Sequence, residues 1–221
     1  MVTRGLAPRF GALDVAVLVF ALLAIAGALF APASIPLHYV FKPATTLLLI
    51  AIAWRSIDAC GFRAGVLVGL GFSLLGDVAL MLPVDAFAVG LGAFLLAHLA
   101  YIAAFRRHAT IRGVIAAGTV YALIATGLLS VLLPQVPPAL RWPVLAYVVV
   151  LVGMAAFAFS ARGTGGSRLA LGGALFVLSD SLLAWNRFVE PVPFSPIWVL
   201  ASYWAAQWCI ARSVAGRGTH G

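Results

Sequence analysis

Hydrophobic runs of about 20 residues, the length an α-helix needs to cross the hydrocarbon of a bilayer, follow one another along this chain with only short breaks. They predict eight spans, at about 12–30, 37–54, 62–82, 86–105, 111–133, 140–160, 167–185 and 195–213. The breaks carry turn chemistry: Pro32 and Pro36, Asp58 to Gly61, Pro83 to Asp85, Arg106 to Arg107, Pro134 to Pro138, Gly163 to Ser167, and Pro191 to Pro196. No connection is long enough to hold a soluble domain. The expected architecture is therefore all-α: one integral membrane domain over residues 1–221, a polytopic bundle of eight transmembrane helices. Any chemistry must sit within that bundle or at its rim.

Composition sharpens this reading. The chain is 64% hydrophobic and only 9% charged, with a mean hydropathy of +1.11, well beyond the apolar share of a soluble domain. A net charge of +8 would suit a nucleic-acid partner if the cations were clustered, but they follow another rule. The N-terminus and every second connection hold Arg4, Arg9, Arg55, Arg63, Arg106, Arg107, Arg112, Arg162, Arg168, Arg212 and Arg217. The alternate connections hold only Arg141 and Arg187, and Lys42 lies inside a span; together these are all fourteen basic residues. The asymmetry places both termini in the cytoplasm and predicts a multi-pass protein of the cell inner (plasma) membrane. Membrane lipids are the expected partners, and nucleic acid is not. Arg4 and Arg9 before an apolar run, with Ala31-Pro32-Ala33 after it, also resemble a leader peptide, but the first run is read as a retained span. Trp142, Trp185 and Trp198 fall at the predicted outer interface and Trp54 at the inner one, as belt residues do. Cys60 and Cys209 map to the cytoplasmic half, where thiols stay reduced, so no disulfide is expected.

Against this background Asp77 stands out in Leu74-Leu75-Gly76-Asp77-Val78-Ala79-Leu80-Met81-Leu82. An ionised Asp near the centre of a membrane helix costs about 2.5 to 3.5 kcal/mol on insertion scales, so it calls for a partner, water or a proton. At 1.5 Å per residue Asp77 sits roughly 8 Å below the outer end of span three. Asp180 lies at a similar depth in span seven, and Lys42 reaches that level in span two. Tyr147, Tyr203, Asn186 and Arg187 occupy the same half, while His98, Tyr101 and Gln207 lie nearer mid-span. Intramembrane ionisable groups face the bundle interior or a wet cavity, which predicts one polar cavity opening outward, with Lys42 suited to a phosphate.

Plainer readings compete with that one. Asp77 and Lys42 also fit a buried ion pair that locks two helices, although one Lys does not neutralise two acids. His98 on an apolar helix fits a hydrogen-bonded packing residue. Tyr147, Tyr203 and Gln207 fit interhelical hydrogen bonding, and Gly69, Gly71, Gly172 and Gly173 fit close helix packing. A catalytic metal needs three or more convergent ligands, whereas His38, His108 and His220 lie near span ends or in the tail; no metal is expected. A faint repeat sets Gly71 to Leu82 over Ala174 to Trp185, and Lys42-Pro43 over Trp142-Pro143, as a parallel four-plus-four repeat would.

Several of these pieces together resemble one family. Phe41-Lys42-Pro43-Ala44-Thr45-Thr46, Ser73-Leu74-Leu75-Gly76-Asp77, Gly92-Ala93-Phe94-Leu95-Leu96-Ala97-His98-Leu99-Ala100-Tyr101, Leu178-Ser179-Asp180 with Asn186-Arg187-Phe188, and Tyr203-Trp204-Ala205-Ala206-Gln207 resemble the YhhN family of membrane proteins, which includes lysoplasmalogenases. The resemblance runs in order from about residue 37 to 210. It implies an eight-span hydrolase that cleaves the vinyl ether bond of a lysoplasmalogen-type lysophospholipid to a fatty aldehyde and a glycerophospho-base, without a cofactor. Asp77 and Asp180 then become the catalytic acid and base, with Lys42, His98, Tyr101, Tyr147, Asn186, Arg187, Tyr203 and Gln207 as substrate-binding residues. A lipid or small-solute transporter, using the same buried charges as a proton relay, is the alternative expectation.

Overall fold

The computed structural model describes residues 11–56, 60–163 and 165–214, with the side chain of Cys60 left out. Eight helices follow in order: α1 (Ala12–Leu29), α2 (Ile35–Trp54), α3 (Cys60–Met81), α4 (Phe87–Phe105), α5 (Ile111–Leu132), α6 (Pro138–Ser160), α7 (Gly166–Phe188) and α8 (Ser195–Val214). No strand joins them among the described residues. Seven are long and apolar enough to cross a membrane, and α8 falls short of that measure. The reason is its position. α8 is buried along Leu200, Tyr203, Trp204, Ala206, Gln207, Cys209 and Ile210, so its polar groups meet protein rather than lipid. Large apolar side chains instead face outward on the surrounding helices, including Leu18, Val68, Val89, Leu123 and Val149.

Element boundaries depart from the sequence expectation where polar residues continue a helix. α7 runs to Phe188, so Asn186 and Arg187 stand on the helix rather than in a connecting loop. α2 starts at Ile35 with Pro36 in its first turn, and α6 starts at Pro138. A proline there lacks only an N–H that the helix leaves unpaired in any case, so it starts the helix instead of breaking the chain.

Neighbouring helices pair as α1 with α2, α3 with α4, α5 with α6, and α7 with α8. The closest approaches need glycine. A Cβ on Gly69 would lie 2.2 Å from the Tyr101 ring, and one on Gly76 would lie 2.6 Å from the Phe94 ring. These two absences let α3 and α4 close around aromatic side chains. The packing follows the faint repeat in part. α2 packs on α3 and α8, as α6 packs on α7 and α4, and Pro43 and Pro143 lie inside α2 and α6. It departs in the outer helices: α1 packs on α8, whereas α5 packs on α6 and α7. Only Ala117 and Leu132 are buried in α5, which makes it the most peripheral helix.

Asp14, near the start of α1, pairs with Arg212 near the end of α8, so both ends of the described chain lie on one side of the bundle. Arg55, Arg63, Arg106, Arg107, Arg112, Arg162 and Arg168 occupy helix ends and connections on that same side. Arg4, Arg9, Asp58, Arg217 and His220 lie outside the described residues.

Candidate active site

On the opposite side the helices part around a cavity of about 520 Å³. It is walled by the end of α1, the start of α2, the end of α3, the start of α4, the end of α7 and the start of α8, and its polar wall includes His38, Lys42, Asp77, Asp180, Asn186, Arg187 and Tyr203. Six of the ten residues singled out as a site therefore face one space. Tyr147 faces an adjoining slot. His98, Tyr101 and Gln207 are fully buried behind the cavity wall.

The two carboxylates are held differently. Asp77 Oδ2 accepts hydrogen bonds from Thr46 Oγ1 at 2.7 Å and Tyr203 Oη at 2.9 Å, while Lys42 Nζ lies 3.9 Å from Oδ1. Behind Tyr203 the donors continue: Tyr101 Oη donates to Gln207 Oε1 at 2.6 Å, and Gln207 Nε2 donates to Tyr203 Oη at 3.3 Å. Helices α2, α3, α4 and α8 thus converge on one acid, whose side chain is 2% exposed. Removing an ionised group from water needs such compensation.

Asp180 accepts from Tyr147 Oη at 2.5 Å on its Oδ2. The single hydroxyl proton of Tyr147 is committed there, so His98 Nε2, 3.0 Å from Tyr147 Oη, is the donor in that contact. His98 Nε2 is 3.7 Å from Asp180 itself, too far for a hydrogen bond, and acts on it through Tyr147. The side chain of Asp180 is 15% exposed, and its Oδ1 faces no protein donor among the described residues. At the mouth, Arg187 Nη2 holds both oxygens of Asp85 at 2.9 and 2.8 Å, and its guanidinium lies 4.3 Å from the centre of the Phe87 ring.

Beside the polar cavity runs a narrower apolar slot of about 70 Å³ among α4, α5, α6 and α7. Leu80, Phe87, Phe94, Asp180 and Leu183 line both spaces. Asp180 therefore stands where a polar chamber meets an apolar one, while Asp77 faces the polar chamber alone.

The YhhN profile matches residues 37–214, which cover the whole of this constellation. The chain belongs to the YhhN family. It is 36% identical to the lysoplasmalogenase TMEM86B of Sus scrofa over 76% of this chain and 72% of that protein. A lysoplasmalogenase of Mycobacterium bovis is 34% identical over 77% of this chain and 69% of its own length. The YhhN membrane protein of Shigella flexneri is 29% identical over 80% and 86%. No solved structure matches the chain. Several helices long and apolar enough to cross a bilayer make this a multi-pass membrane protein, and its YhhN relatives are likewise described as membrane proteins.

Reasoning from depth passed over several residues. Thr46 carried a usable signal, since it sits one helical turn beyond Lys42 and shares its face. Ser179 and Phe94 gave none, because depth along a span does not give direction around it. Asp14 was overlooked although it lies within the first span, and Asp85 because it lies in a connection. Among the described residues no group of three or more His, Cys, Asp or Glu gathers as a metal site, and Cys209 is free and buried.

Proposed function

We propose that this YhhN-family protein is a membrane hydrolase of the lysoplasmalogenase type, which cleaves the vinyl ether bond of a lysoplasmalogen-type lysophospholipid to a fatty aldehyde and a glycerophospho-base. The observation that carries the reading is that Asp77 and Asp180, on separate helices, line one cavity together with Lys42, Asn186 and Arg187. The named activity of the pig and mycobacterial relatives supports it.

Vinyl ether hydrolysis begins with a proton added to the alkene carbon distal to oxygen, which leaves an oxocarbenium ion. Asp180 is assigned as that acid, because it lines the cavity and its Oδ1 accepts no hydrogen bond from the described residues, while Oδ2 is fixed by Tyr147. Asp77, facing Lys42 and two hydroxyl donors, is the ionised carboxylate that stabilises the cation and takes a proton from the attacking water. The resulting hemiacetal collapses: its C–O bond to glycerol breaks, the glycerol oxygen takes up a proton, and the hydroxyl proton is lost as the aldehyde forms. One water is consumed and no electrons are exchanged. Lys42, Arg187 and Asn186 receive the phosphate and headgroup. His98, Tyr101 and Gln207 orient the two acids from behind the cavity wall, through Tyr147 and Tyr203.

The cavity opens on the side away from the Arg-rich connections, which by the positive-inside rule is the extracytoplasmic face of the plasma membrane. Replacing Asp77 or Asp180 by Asn in purified protein tests the assignment. Aldehyde release is expected to fall about 10²-fold or more while the thermal transition is retained; turnover undiminished in both variants overturns it. Flux of intact lipid across proteoliposomes, with no aldehyde formed, would favour transport instead.

A further inference from the structure

We infer that His38 is a specificity residue of the polar cavity: its Nε2 accepts a hydrogen bond from a donor on the polar half of the bound lipid, either the glycerol hydroxyl that a lysolipid leaves free or the ammonium of an ethanolamine headgroup. This rests on the lysolipid reading above and extends it to how the polar half is recognised.

The anchor of the ring decides what it offers. His38 Nδ1 lies 3.0 Å from the backbone oxygen of Ala24 on α1. A carbonyl oxygen only accepts, so Nδ1 carries the proton there, and in the neutral ring Nε2 is left with a lone pair. The anchor is firm because α1 and α2 meet closely at this level: a Cβ on Gly27 would lie 2.4 Å from the backbone nitrogen of His38. Nε2 makes no hydrogen bond to the described residues. Nor is it one of the sealed polar atoms of the interior, so it is reachable, and the space that His38 lines is the polar cavity.

The rest of the polar wall makes such an acceptor useful. Lys42 and Arg187 carry only donors. Asn186 Oδ1 accepts from the Val192 N–H at 2.9 Å, which leaves its amide N–H groups for the cavity it lines. Phosphate oxygens answer these three, while Asp77 and Asp180 are assigned to the reacting bond. A lysophospholipid also brings donors of its own close to its phosphate, and a donor taken from water needs an acceptor in exchange. His38 stands one helical turn before Lys42 on α2, on the same face. A phosphate held by Lys42 therefore carries its neighbouring hydroxyl and ammonium toward Nε2.

Binding of saturated alkyl ether lysophospholipids to the purified full chain tests this without turnover. Three lipids are compared: an ethanolamine lipid with the glycerol hydroxyl, its deoxy analogue, and the choline lipid, whose headgroup has no N–H. The unaltered protein is expected to bind the first about fivefold or more tighter than one of the other two. Weakening in the deoxy lipid assigns the donor to glycerol, and weakening in the choline lipid assigns it to the headgroup. His38→Asn keeps an N–H for Ala24 but does not reach the position of Nε2, so the preference is expected to shrink to within about twofold; His38→Gln, which returns an oxygen there, is expected to restore part of it. Equal binding of all three lipids by the unaltered protein, or a preference that survives His38→Asn unchanged, overturns the inference. If alkenyl lysolipids yield no aldehyde with the unaltered protein, the hydrolase reading fails, and the binding series by itself still decides the role of His38.

Discussion

Asp14 and the pair Asp77 and Asp180 are all carboxylates inside helices of a membrane bundle, yet they stand at opposite ends of it and are held differently. Asp14 is 2% exposed, and donors surround it: the backbone N–H of Gly11, Trp208 Nε1 at 2.7 Å, and Arg212 through both Nε and Nη2. It ties the start of α1 to the end of α8 and borders only an apolar groove. Asp77 and Asp180 border the polar cavity, and Asp180 keeps one oxygen turned away from protein donors. The comparison teaches that burial of an acid in a membrane protein does not identify a catalytic group. A carboxylate whose oxygens are all engaged is a fastening, and one that retains an open oxygen beside a substrate-sized space is a candidate for chemistry.

The difference is broken most sharply by substitution at Asp180. Asp180→Asn is expected to lower kcat about 10²–10⁴-fold, the usual contribution of a positioned acid, with little change in thermal stability; a large fall in the unfolding temperature at unchanged kcat would place Asp180 with the fastenings. Asp14→Ala should show the reverse. It strands Arg212 in a partly buried setting, so stability measured by unfolding in detergent should drop by about 3–5 kcal/mol, while the kcat of the molecules that remain folded is retained. Loss of activity in that folded fraction would erase the distinction.

Finer variants sharpen the same contrast. Tyr147→Phe removes a hydroxyl that holds Asp180 and touches no part of the proposed headgroup site. A hydrogen bond to a neutral group contributes about 0.5–1.5 kcal/mol, so kcat should fall about twofold to tenfold with KM unchanged; a rise in KM alone would assign Tyr147 to binding. The smallest effect is expected at the mouth. Asp85→Asn breaks an ion pair in which the Asp85 side chain is 71% exposed, and such pairs contribute about 0–1 kcal/mol and weaken with salt. The unfolding temperature should barely move, and any change in KM should shrink at high ionic strength.

The helices were legible because the hydrocarbon thickness fixes their length and the breaks between them are chemically marked. Six of the candidate residues face the one cavity that depth suggested, because depth along a span follows from counting residues. What counting does not provide is azimuth. His98, Tyr101 and Gln207 lie at a plausible depth but turn behind the wall, where they order Tyr147 and Tyr203. The fastening at Asp14 was illegible for a related reason: its partner is 198 positions away, and only the packing of α1 on α8 brings the two together. The apolar slot had no local signature, since its lining residues are ordinary membrane-helix residues whose meaning comes from four helices meeting.

The central claim is that Asp180 delivers a proton to the alkene carbon of a lipid held in the polar cavity. Hydrolysis of an alkenyl lysophospholipid in D₂O, with the aldehyde trapped as it forms by reduction to the alcohol and analysed by mass spectrometry, measures that step directly. The account predicts one deuterium at the carbon next to the former carbonyl, and aldehyde release slowed about 10²–10⁴-fold in Asp180→Asn. Aldehyde released without deuterium at that carbon, or released undiminished by Asp180→Asn, would contradict it.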